Sequence, residues 1–165
     1  MTNHQLPAAC NHLWPATNPS NRSNARSLIL VTHNNLALTH LCLTSLFRNT
    51  SFPNYKLIVV DNYSMDDTPE YLTELAAHCP HLTLISNAQN QGFAPASNQG
   101  LAQATGSALI LLNNDTLVTP GRFTRLVSHL ADPTVGLVGP ATNFAGNEAR
   151  VKVRDTNWGG MESSA

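Results

Sequence analysis

Short aliphatic runs separated by helical patterns make up most of the sequence from residue 28 onward. The runs are LILVT (28–32), KLIVVD (56–61), LTLIS (82–86), ALILLN (108–113) and VGLVGP (135–140). They are continuously apolar and do not alternate between apolar and polar residues, which is typical of strands covered on both faces of a parallel sheet. The sequence therefore predicts five parallel strands.

Four segments between and after these runs are helix candidates, three from the apolar spacing of amphipathic helices and the third along the chain from its small residues, which can pack closely on a sheet. They lie at about 36–48, from Asp67-Thr68-Pro69 to about Cys79, at about 95–104, and from Thr119-Pro120 onward. In the second segment, Asp67 or Thr68 can cap the helix and Pro69 suits its first turn. The order βαβαβαβαβ predicts an α/β fold, with an open, mostly parallel sheet and helices on both faces.

Length and composition favour one domain and exclude some partners. The chain has 165 residues, of which 12% are charged, and its net charge is about −1, so we expect no nucleic-acid partner. No apolar run approaches the roughly 20 residues that span a bilayer, so we expect no transmembrane segment. Residues 1–26 are rich in Asn, Pro, Ser and Thr and predict a flexible tail, followed by a domain at 27–151 and a second tail at 152–165.

The cysteines and the amino-terminal residues predict a cytoplasmic location. Cys10, Cys42 and Cys79 are odd in number and widely spaced, which does not indicate a disulfide framework. The amino terminus lacks the basic-then-apolar pattern of a secretory signal. We therefore expect a reducing, cytoplasmic setting, with peripheral association at the inner face of the membrane as an option.

Polar side chains collect where the predicted strands end. The four ends carry Thr32-His33-Asn34-Asn35, Asp61-Asn62, Ser86-Asn87 followed by Asn90-Gln91-Gly92, and Asn113-Asn114-Asp115. Open α/β sheets bind ligands outside the carboxyl ends of their strands. The sequence therefore predicts a binding site at this edge.

The residues at this edge narrow the class of ligand. No G-x-G-x-x-G follows the first strand, and the Gly-rich stretch GLAQATGS (100–107) lacks the lysine of a phosphate-binding P-loop and follows a helix. Amides both donate and accept hydrogen bonds, so they suit ribose hydroxyls and base edges. A lone carboxylate such as Asp115 suits a diphosphate if Mg²⁺ or Mn²⁺ lies between them, and Asp61 would then face the nucleoside.

Simpler interpretations of the same residues stay open. Asp61 could form an Asx turn leading into the next helix, and Asp115 could be a turn or capping residue. Asn113 and Asn114 could satisfy loop backbone, and the glycines could serve conformation or packing.

Four stretches together resemble glycosyltransferase family 2. They are VDNYSMDDTPEYL (60–72), NQGFAPASNQGLAQATG (90–106), LILLNNDTLVTPG (109–121) and VGLVGPATNFAGNEARV (135–151). The resemblance runs from about Ser27 to Val151. It implies a GT-A fold, incomplete at the carboxyl terminus, and inverting transfer of a sugar from a nucleoside-diphosphate sugar to an acceptor hydroxyl. A glycan or lipid-linked acceptor and a role in cell-surface polysaccharide biosynthesis would fit.

The resemblance also implies roles for individual residues. Thr32 would line the nucleotide pocket, Asp61 would recognise the base, Asn114 would reach the ribose, and Asp115 would ligate the divalent cation within the family's DXD-like motif. Gly92 and Asn98 belong to its N-x-G-x-x-x-A-x-N-x-G stretch, which flanks the nucleotide. The predicted nucleotide-sugar-binding residues are Thr32, Asn34, Asp61, Asn90, Gly92, Asn98, Asn113, Asn114 and Asp115.

Several features depart from the family pattern. Tyr63 stands where Gly, Ala or Ser is usual, His33 stands where Tyr or Phe is more frequent, and the motif NND offers a single carboxylate to the cation. We expect the catalytic base and the acceptor-binding half to lie beyond residue 165, so no catalytic residue is named.

Two other functions compete with an active transferase. One is a truncated, non-catalytic module that binds nucleotide sugars without turnover. The other is a nucleotidyltransferase on the same fold, but THNNLALTH after the first strand lacks the Gly, Lys and Arg that such an enzyme needs.

Overall fold

The computed structural model describes residues 25–50 and 55–140 of the chain. Within these residues lie four strands, β1 (Arg26–Thr32), β2 (Tyr55–Asp61), β3 (Leu82–Ser86) and β4 (Ala108–Asn113). The same residues form four helices, α1 (Leu36–Asn49), α2 (Thr68–His78), α3 (Phe93–Ala102) and α4 (Arg122–His129). The first four predicted strands and the four predicted helices are thus confirmed, with small shifts at their ends.

The described strands form one parallel sheet in the order β3-β2-β1-β4. Thr32 at the end of β1 is in register with Asp61 of β2, and Asp61 is in register with Ser86 of β3. Beside them, Val31 is in register with Asn113 of β4, so all four carboxyl ends meet at one edge. The chain moves outward from β1 to β3 and then returns to β4. Right-handed crossovers therefore put α1 and α2 on one face and α3 on the other.

The central strands β1 and β2 are buried on both faces. One face belongs to a cluster of buried residues on β1, β2 and α3, namely Ile29, Val31, Ile58, Val60 and Ala96. The side chains that alternate with them are fully buried on the opposite face: Leu28, Leu30, Leu57 and Val59. This double burial is the reason why the first two runs are continuously apolar.

The edge strand β4 is less covered than its sequence predicts. Leu109 and Leu111 are 50% and 52% exposed, although the sequence suggests a strand buried on both faces. They are in register with Ser27 and Ile29, so they lie on the face that α3 covers. The helix packs on β1 and β2, and this face of β4 lies beyond it.

The prediction of a fifth strand at 135–140 is wrong. These residues have no regular secondary structure, and the side chain of Leu137 is 91% exposed. An extended run needs a neighbouring strand to pair its backbone N–H and C=O groups. Among the described residues, no strand lies beside 135–140, so its apolar composition alone does not make it a strand.

A single carboxylate, that of Asp66, caps both α1 and α2. Its Oδ2 accepts from the backbone N–H of Leu36 and its Oδ1 from that of Thr68, both at 3.1 Å. Asp67 holds the N-cap position of α2, as predicted, but its side chain makes no capping hydrogen bond, and Asp66 supplies that bond instead. Desolvation opposes ionisation of Asp66, but hydrogen bonds from Thr68, Leu36 and Asn35 outweigh it and lower the pKa of the carboxyl group.

Two cysteines lie in the described residues. Cys42 on α1 is buried and free, as the sequence suggests. Cys79, also buried, is disulfide-bonded, so the expectation of a reduced thiol is wrong for this residue. Sequence spacing could not predict this, because pairing depends on the Cα distances that folding produces.

The chain divides into two compact units between Leu117 and Val118. The first contains the sheet and α1 to α3, and the second contains α4. Across the described ranges, none of the helices has the length and apolar character needed to cross a bilayer. Residues 1–24 and 152–165 of the predicted tails lie outside the described residues, as do residues 51–54 and 141–151 of the domain predicted at 27–151.

Candidate functional site

A cavity of about 350 Å³ opens at the carboxyl edge of the sheet. Its lining residues are Val31, Thr32, His33, Asn62, Asn90, Gly92, Phe93, Asn113, Asn114 and Asp115. They belong to the ends of β1 and β4, to the loops after β1, β2, β3 and β4, and to the start of α3. Strands β1 and β4 are neighbours although β1 leads to β2 and β4 is reached from β3. The cavity therefore lies at the point where the strand order reverses, which is where open α/β sheets bind ligands.

Asn114 is held by two buried hydroxyl groups. Its Nδ2 donates to Oγ1 of Thr32 at 3.2 Å and to Oγ1 of Thr39 at 3.1 Å. The two hydroxyl oxygens are themselves 2.8 Å apart and share a hydrogen bond. Both N–H groups of the amide are thus engaged, and its carbonyl oxygen, on the other arm of the planar amide, points away from the two hydroxyls. Thr39 is absent from the sequence prediction, although a hydroxyl on the apolar face of α1 is a signal that could have indicated it.

The turn after β4 presents Asp115 to the cavity. The N–H of Thr116 donates to the carbonyl oxygen of Asn113 at 3.2 Å and closes this turn. Asp115 is exposed, and among the described residues that line the cavity it is the one carboxylate. The described lining therefore has one carboxylate at its β4 end and the side-chain amides of Asn62, Asn90, Asn113 and Asn114 beside it.

Cys42 lies under this turn but is not suited to be a nucleophile. Its Sγ donates to the carbonyl oxygen of Asn113 at 3.5 Å, and the residue is 1% exposed. Burial raises the pKa of the Cys42 thiol to about 12. A hydrogen bond from Thr116 acts in the opposite direction, and the negative charge of Asp115 raises the pKa further. A nucleophilic cysteine needs a lowered pKa and access to substrate, and Cys42 has neither.

Asn62 ties the loop after β2 to the loop after β3. Its Nδ2 donates to Oδ1 of Asn90 at 2.8 Å and to the carbonyl oxygen of Gly92 at 3.3 Å. Its Oδ1 accepts from Nδ2 of Asn87 and from the N–H of Gln91, both at 3.0 Å. Asn62 is 3% exposed, and its four side-chain hydrogen bonds saturate the amide. The sequence pattern places Asn62 only as the residue after Asp61, because its hydrogen-bond partners are distant in the chain.

His33 also depends on Asn62. Its Nδ1 lies 3.0 Å from the carbonyl oxygen of Asn62, and since a carbonyl oxygen can only accept, Nδ1 carries the proton. In the neutral ring, Nε2 then accepts from Nδ2 of Asn34 at 3.3 Å. These bonds fix the ring at the rim of the cavity.

Asp61 lies in a turn that joins the loops after β1 and β2. Its Oδ1 accepts from the hydroxyl and the N–H of Ser64. The hydroxyl oxygen of Ser64 in turn accepts from the N–H of Asn34 at 2.7 Å, and Oδ1 of Asn34 accepts from the N–H of Met65 at 2.7 Å. Asp61 is 3% exposed, so this carboxylate forms the Asx-type turn that the sequence left open as the simpler interpretation.

Three residues in these loops have a left-handed backbone although they are not glycine. The φ angles are 57° for Asn34, 62° for Asn35 and 71° for Tyr63. Asn adopts this region more readily than other side chains, whereas Tyr does so at a cost.

The nine predicted binding residues fall into two groups. Six of them line the cavity: Thr32, Asn90, Gly92, Asn113, Asn114 and Asp115. The other three, Asn34, Asp61 and Asn98, are not among the lining residues. Asn34 and Asp61 belong to the hydrogen-bonded loops behind the rim, and Asn98 is an exposed residue of α3. That any of them binds a nucleotide sugar stays a prediction.

The donor set at the β4 end fits a divalent cation that shares its ligands with a bound phosphate. Among the described residues, no group of three or more His, Cys, Asp or Glu side chains could hold a metal ion by itself. Mg²⁺ and Mn²⁺ need only one or two protein carboxylates when phosphate oxygens and water supply the other ligands. The exposed carboxylate of Asp115 meets that requirement.

Comparison with known sequences identifies the family. The sequence model of "Glycosyl transferase family 2" matches residues 27–163. The chain is 30% identical over 92 residues to "Putative glycosyltransferase CsbB" of Bacillus subtilis (strain 168), covering 54% of this chain and 28% of that protein. It is 26% identical over 136 residues to "Uncharacterized protein y4gI" of Sinorhizobium fredii (strain NBRC 101917 / NGR234), covering 81% of this chain and 14% of that protein. The chain thus spans less than a third of either relative.

Solved structures share the fold. Mannosyltransferase PcManGT from Pyrobaculum calidifontis, in complex with GDP-Man and Mn²⁺, superimposes with a TM-score of 0.64 and 28% identity, over 74% of this chain and 37% of that one. TarS 1-349 of S. aureus, in complex with UDP-GlcNAc, gives a TM-score of 0.58 at 22% identity, over 66% of this chain and 31% of that one. The match to TarS shows the fold alone. The chain has a parallel sheet with a cavity at its carboxyl edge, and the family model matches residues 27–163. We conclude that this chain belongs to glycosyltransferase family 2 and has a GT-A type of fold.

Proposed function

We propose that the chain binds a nucleoside-diphosphate sugar in the cavity and belongs to an inverting glycosyltransferase. One observation carries the proposal. The cavity at the reversal point of the sheet joins a single carboxylate, Asp115, to a row of side-chain amides from Asn114, Asn62 and Asn90. A nucleotide sugar combines a charged diphosphate with a neutral nucleoside that forms hydrogen bonds. In the cavity, the carboxylate of Asp115 would serve the diphosphate through a cation, and the amides would serve the nucleoside.

The diphosphate would occupy the β4 end. Asp115 would hold Mg²⁺ or Mn²⁺ there, with phosphate oxygens among the other ligands. When bound, the cation supplies positive charge that stabilises the departing diphosphate. The complex of PcManGT with GDP-Man and Mn²⁺ supports this assignment by analogy.

The ribose would lie between the diphosphate and the base, within reach of Asn114. Its Nδ2 is engaged by Thr32 and Thr39, so a ribose hydroxyl would donate to its carbonyl oxygen. Thr32 would contribute to the wall of the pocket, and Asn113 and Gly92 would contact the nucleotide from the two sides.

The remaining predicted residues would act from the loops and from α3. Asp61, through Ser64, would hold the β1 and β2 loops, and so would support recognition of the base from behind the rim of the cavity. Asn34 would support the same loops through Ser64 and Met65. Asn98 lies on α3 outside the cavity lining, so it would contact only a part of the ligand that extends beyond the cavity.

Turnover needs a base that takes the acceptor proton as the diphosphate leaves. Asp115 is the one carboxylate lining the described cavity, and the proposal assigns it to the cation. The second candidate for this chain by itself is a module that binds nucleotide sugars without transferring them. For the complete enzyme we propose a glycan or lipid-linked acceptor and a role in polysaccharide biosynthesis.

Calorimetry of UDP, GDP and dTDP with and without Mn²⁺ tests the proposal. We expect at least one of them to bind, more tightly by about tenfold when Mn²⁺ is present, which corresponds to about 1.4 kcal/mol. Asp115→Asn should remove this manganese effect and leave metal-free binding intact, because it deletes the charge that holds the cation.

Glu70→Gln is the matched control, because it removes one negative charge from an exposed position on α2. It should retain the manganese effect. The proposal fails if no nucleotide binds, and its metal assignment fails if Asp115→Asn keeps the full manganese effect. Transfer or hydrolysis of the matching sugar nucleotide then separates an active transferase from a binding module.

A further inference from the structure

The loop between β3 and α3 lines the cavity without apolar support of its own. Asn90 and Gly92 of this loop are among the lining residues, and so is Phe93, with which α3 begins. Every residue from 88 to 95 is exposed, and residues 87–92 form no helix or strand. The hydrophobic effect therefore contributes little to the position of this loop, which depends on hydrogen bonds.

One side chain, that of Asn62 at the end of β2, bonds to three successive residues of the loop. Its Oδ1 accepts from the backbone N–H of Gln91 at 3.0 Å. Its Nδ2 donates to Oδ1 of Asn90 at 2.8 Å and to the carbonyl oxygen of Gly92 at 3.3 Å. We call residues 90–92 the held loop.

Backbone groups fix the direction of the Asn62 amide. A backbone N–H can only donate and a carbonyl oxygen can only accept, so Gln91 must face the oxygen of this amide and Gly92 must face its nitrogen. The main chain of Asn62 is itself tied to the sheet, because its N–H donates to the carbonyl oxygen of Thr32 at 2.8 Å. Asn62 thus connects the held loop to the rigid end of β1.

The Asn62 amide has no hydrogen-bonding capacity left for a ligand. Its oxygen also accepts from Nδ2 of Asn87 at 3.0 Å, so two donors and two acceptors saturate the group. Asn62 lines the cavity but is only 3% exposed. Its side chain therefore acts on a ligand through the residues that it holds.

We propose that Asn62 is a positioning residue, which holds residues 90–92 in their ligand-binding arrangement before any ligand arrives. The inference rests on the proposed function, since the ligand is the nucleoside diphosphate part of the sugar donor. Without the Asn62 amide, the held loop would populate other arrangements. The apparent affinity would then fall in proportion to the fraction of molecules that keep the competent arrangement.

Hydrogen exchange in the free wild-type protein tests whether the loop is held in advance. The N–H of Gln91 donates to the buried amide of Asn62, so we expect it to exchange at least about tenfold more slowly than in an unstructured peptide. This protection should be present without nucleotide.

Asn62→Ala tests the consequence for binding. The N–H of Gln91 should exchange rapidly in the free variant and become protected only when a nucleoside diphosphate saturates the cavity. Calorimetry is carried out with whichever of UDP, GDP and dTDP the wild-type protein binds. If the competent arrangement falls to about a tenth of the molecules, the affinity falls about tenfold.

Asn87→Ala is the matched control. The side chain of Asn87 donates to Asn62 and to Oε1 of Gln99, so this variant also loses hydrogen bonds of the same network, but neither acceptor belongs to the held loop. Asn87 is not among the residues that line the cavity. A purely stabilising role for Asn62 predicts that the two variants behave alike. We expect Asn87→Ala to keep the protection of Gln91 and the nucleotide affinity of the wild type.

The outcomes separate the two proposals. If no nucleoside diphosphate binds to the wild-type protein, both the proposed function and this inference are wrong. If nucleotides bind but Asn62→Ala binds them as tightly as Asn87→Ala does, the proposed function stands and the inference fails. Rapid exchange of the Gln91 N–H in the free wild-type protein also refutes it, and this measurement decides alone if Asn62→Ala does not fold.

Discussion

The side-chain amide of Asn114 donates to the hydroxyl of Thr32, 3.2 Å away, and so joins the carboxyl end of β4 to that of β1. The same nitrogen donates to Thr39 on α1 at 3.1 Å. Three elements of the sheet edge therefore meet at one amide. The orientation of Asn114 toward the cavity depends on two buried hydroxyls that no sequence motif connects.

Removing this amide should weaken both binding and folding. Asn114→Ala is expected to lower nucleotide affinity about tenfold, because the pocket loses a polar contact to the ribose. It should also lower the free energy of unfolding by about 1–2 kcal/mol, because two hydrogen bonds are lost. Calorimetry with UDP or GDP and urea denaturation measure the two effects.

The hydroxyl of Thr39 offers a matched pair of variants for the same cluster. Thr39→Ser keeps an acceptor for Asn114, whereas Thr39→Val removes it at nearly constant volume. Only Thr39→Val should reduce nucleotide affinity. Equal affinity in these two variants would show that Thr39 does not position Asn114.

The double capping by Asp66 predicts a stability change at acid pH. The pKa of Asp66 is lower in the folded chain than its ordinary value of 3.8, so ionised Asp66 stabilises the fold above that pH. This contribution is lost as the pH falls below 3.8 through the lower pKa of the folded state. Asp66→Asn should therefore be less stable than wild type at pH 6, with the difference shrinking below pH 4. Denaturation at a series of pH values measures it, and a difference that does not change with pH would contradict the prediction.

Gly100 should not tolerate a side chain, because α3 lies very close to β1 there. A Cβ atom at this position would clash with Cγ2 of Ile29. Gly100→Ala should lower the free energy of unfolding by about 1–3 kcal/mol through overpacking. Gly136→Ala is the control, because a Cβ there would meet no atom within 4 Å. Similar urea midpoints for the two variants would refute the packing role of Gly100.

Replacing Tyr63 with glycine should maintain or increase the stability of the fold. Its φ of 71° lies in the left-handed region, which costs a tyrosine about 1 kcal/mol that a glycine does not incur. Tyr63→Gly should match or exceed the wild-type stability in thermal denaturation, whereas Tyr63→Ala should gain nothing from the backbone. A clear loss of stability in Tyr63→Gly would mean that the ring of Tyr63, which is 41% exposed, contributes more than its backbone costs.

The sequence by itself predicted the order of strands and helices and the edge of the sheet that carries the site. Strands that are buried on both faces, as β1 and β2 are, need a continuously apolar sequence. A polar residue inside such a strand would need a buried hydrogen-bond partner. Asn113-Asn114-Asp115 and Asn90-Gln91-Gly92 therefore had to follow the strands. Local pattern failed at 135–140, because a strand exists only beside another strand.

Only the tertiary structure decided how the site residues are held. The bonds of Asn114 to Thr32 and Thr39 span 82 and 75 residues, and those of Asn62 to the β3 loop span up to 30. Spacing along the chain does not specify such partners, because they depend on which strands become neighbours and on which direction each amide takes. Folding thus turned Asp61 into the acceptor for Ser64 and gave Asp66 two helices to cap.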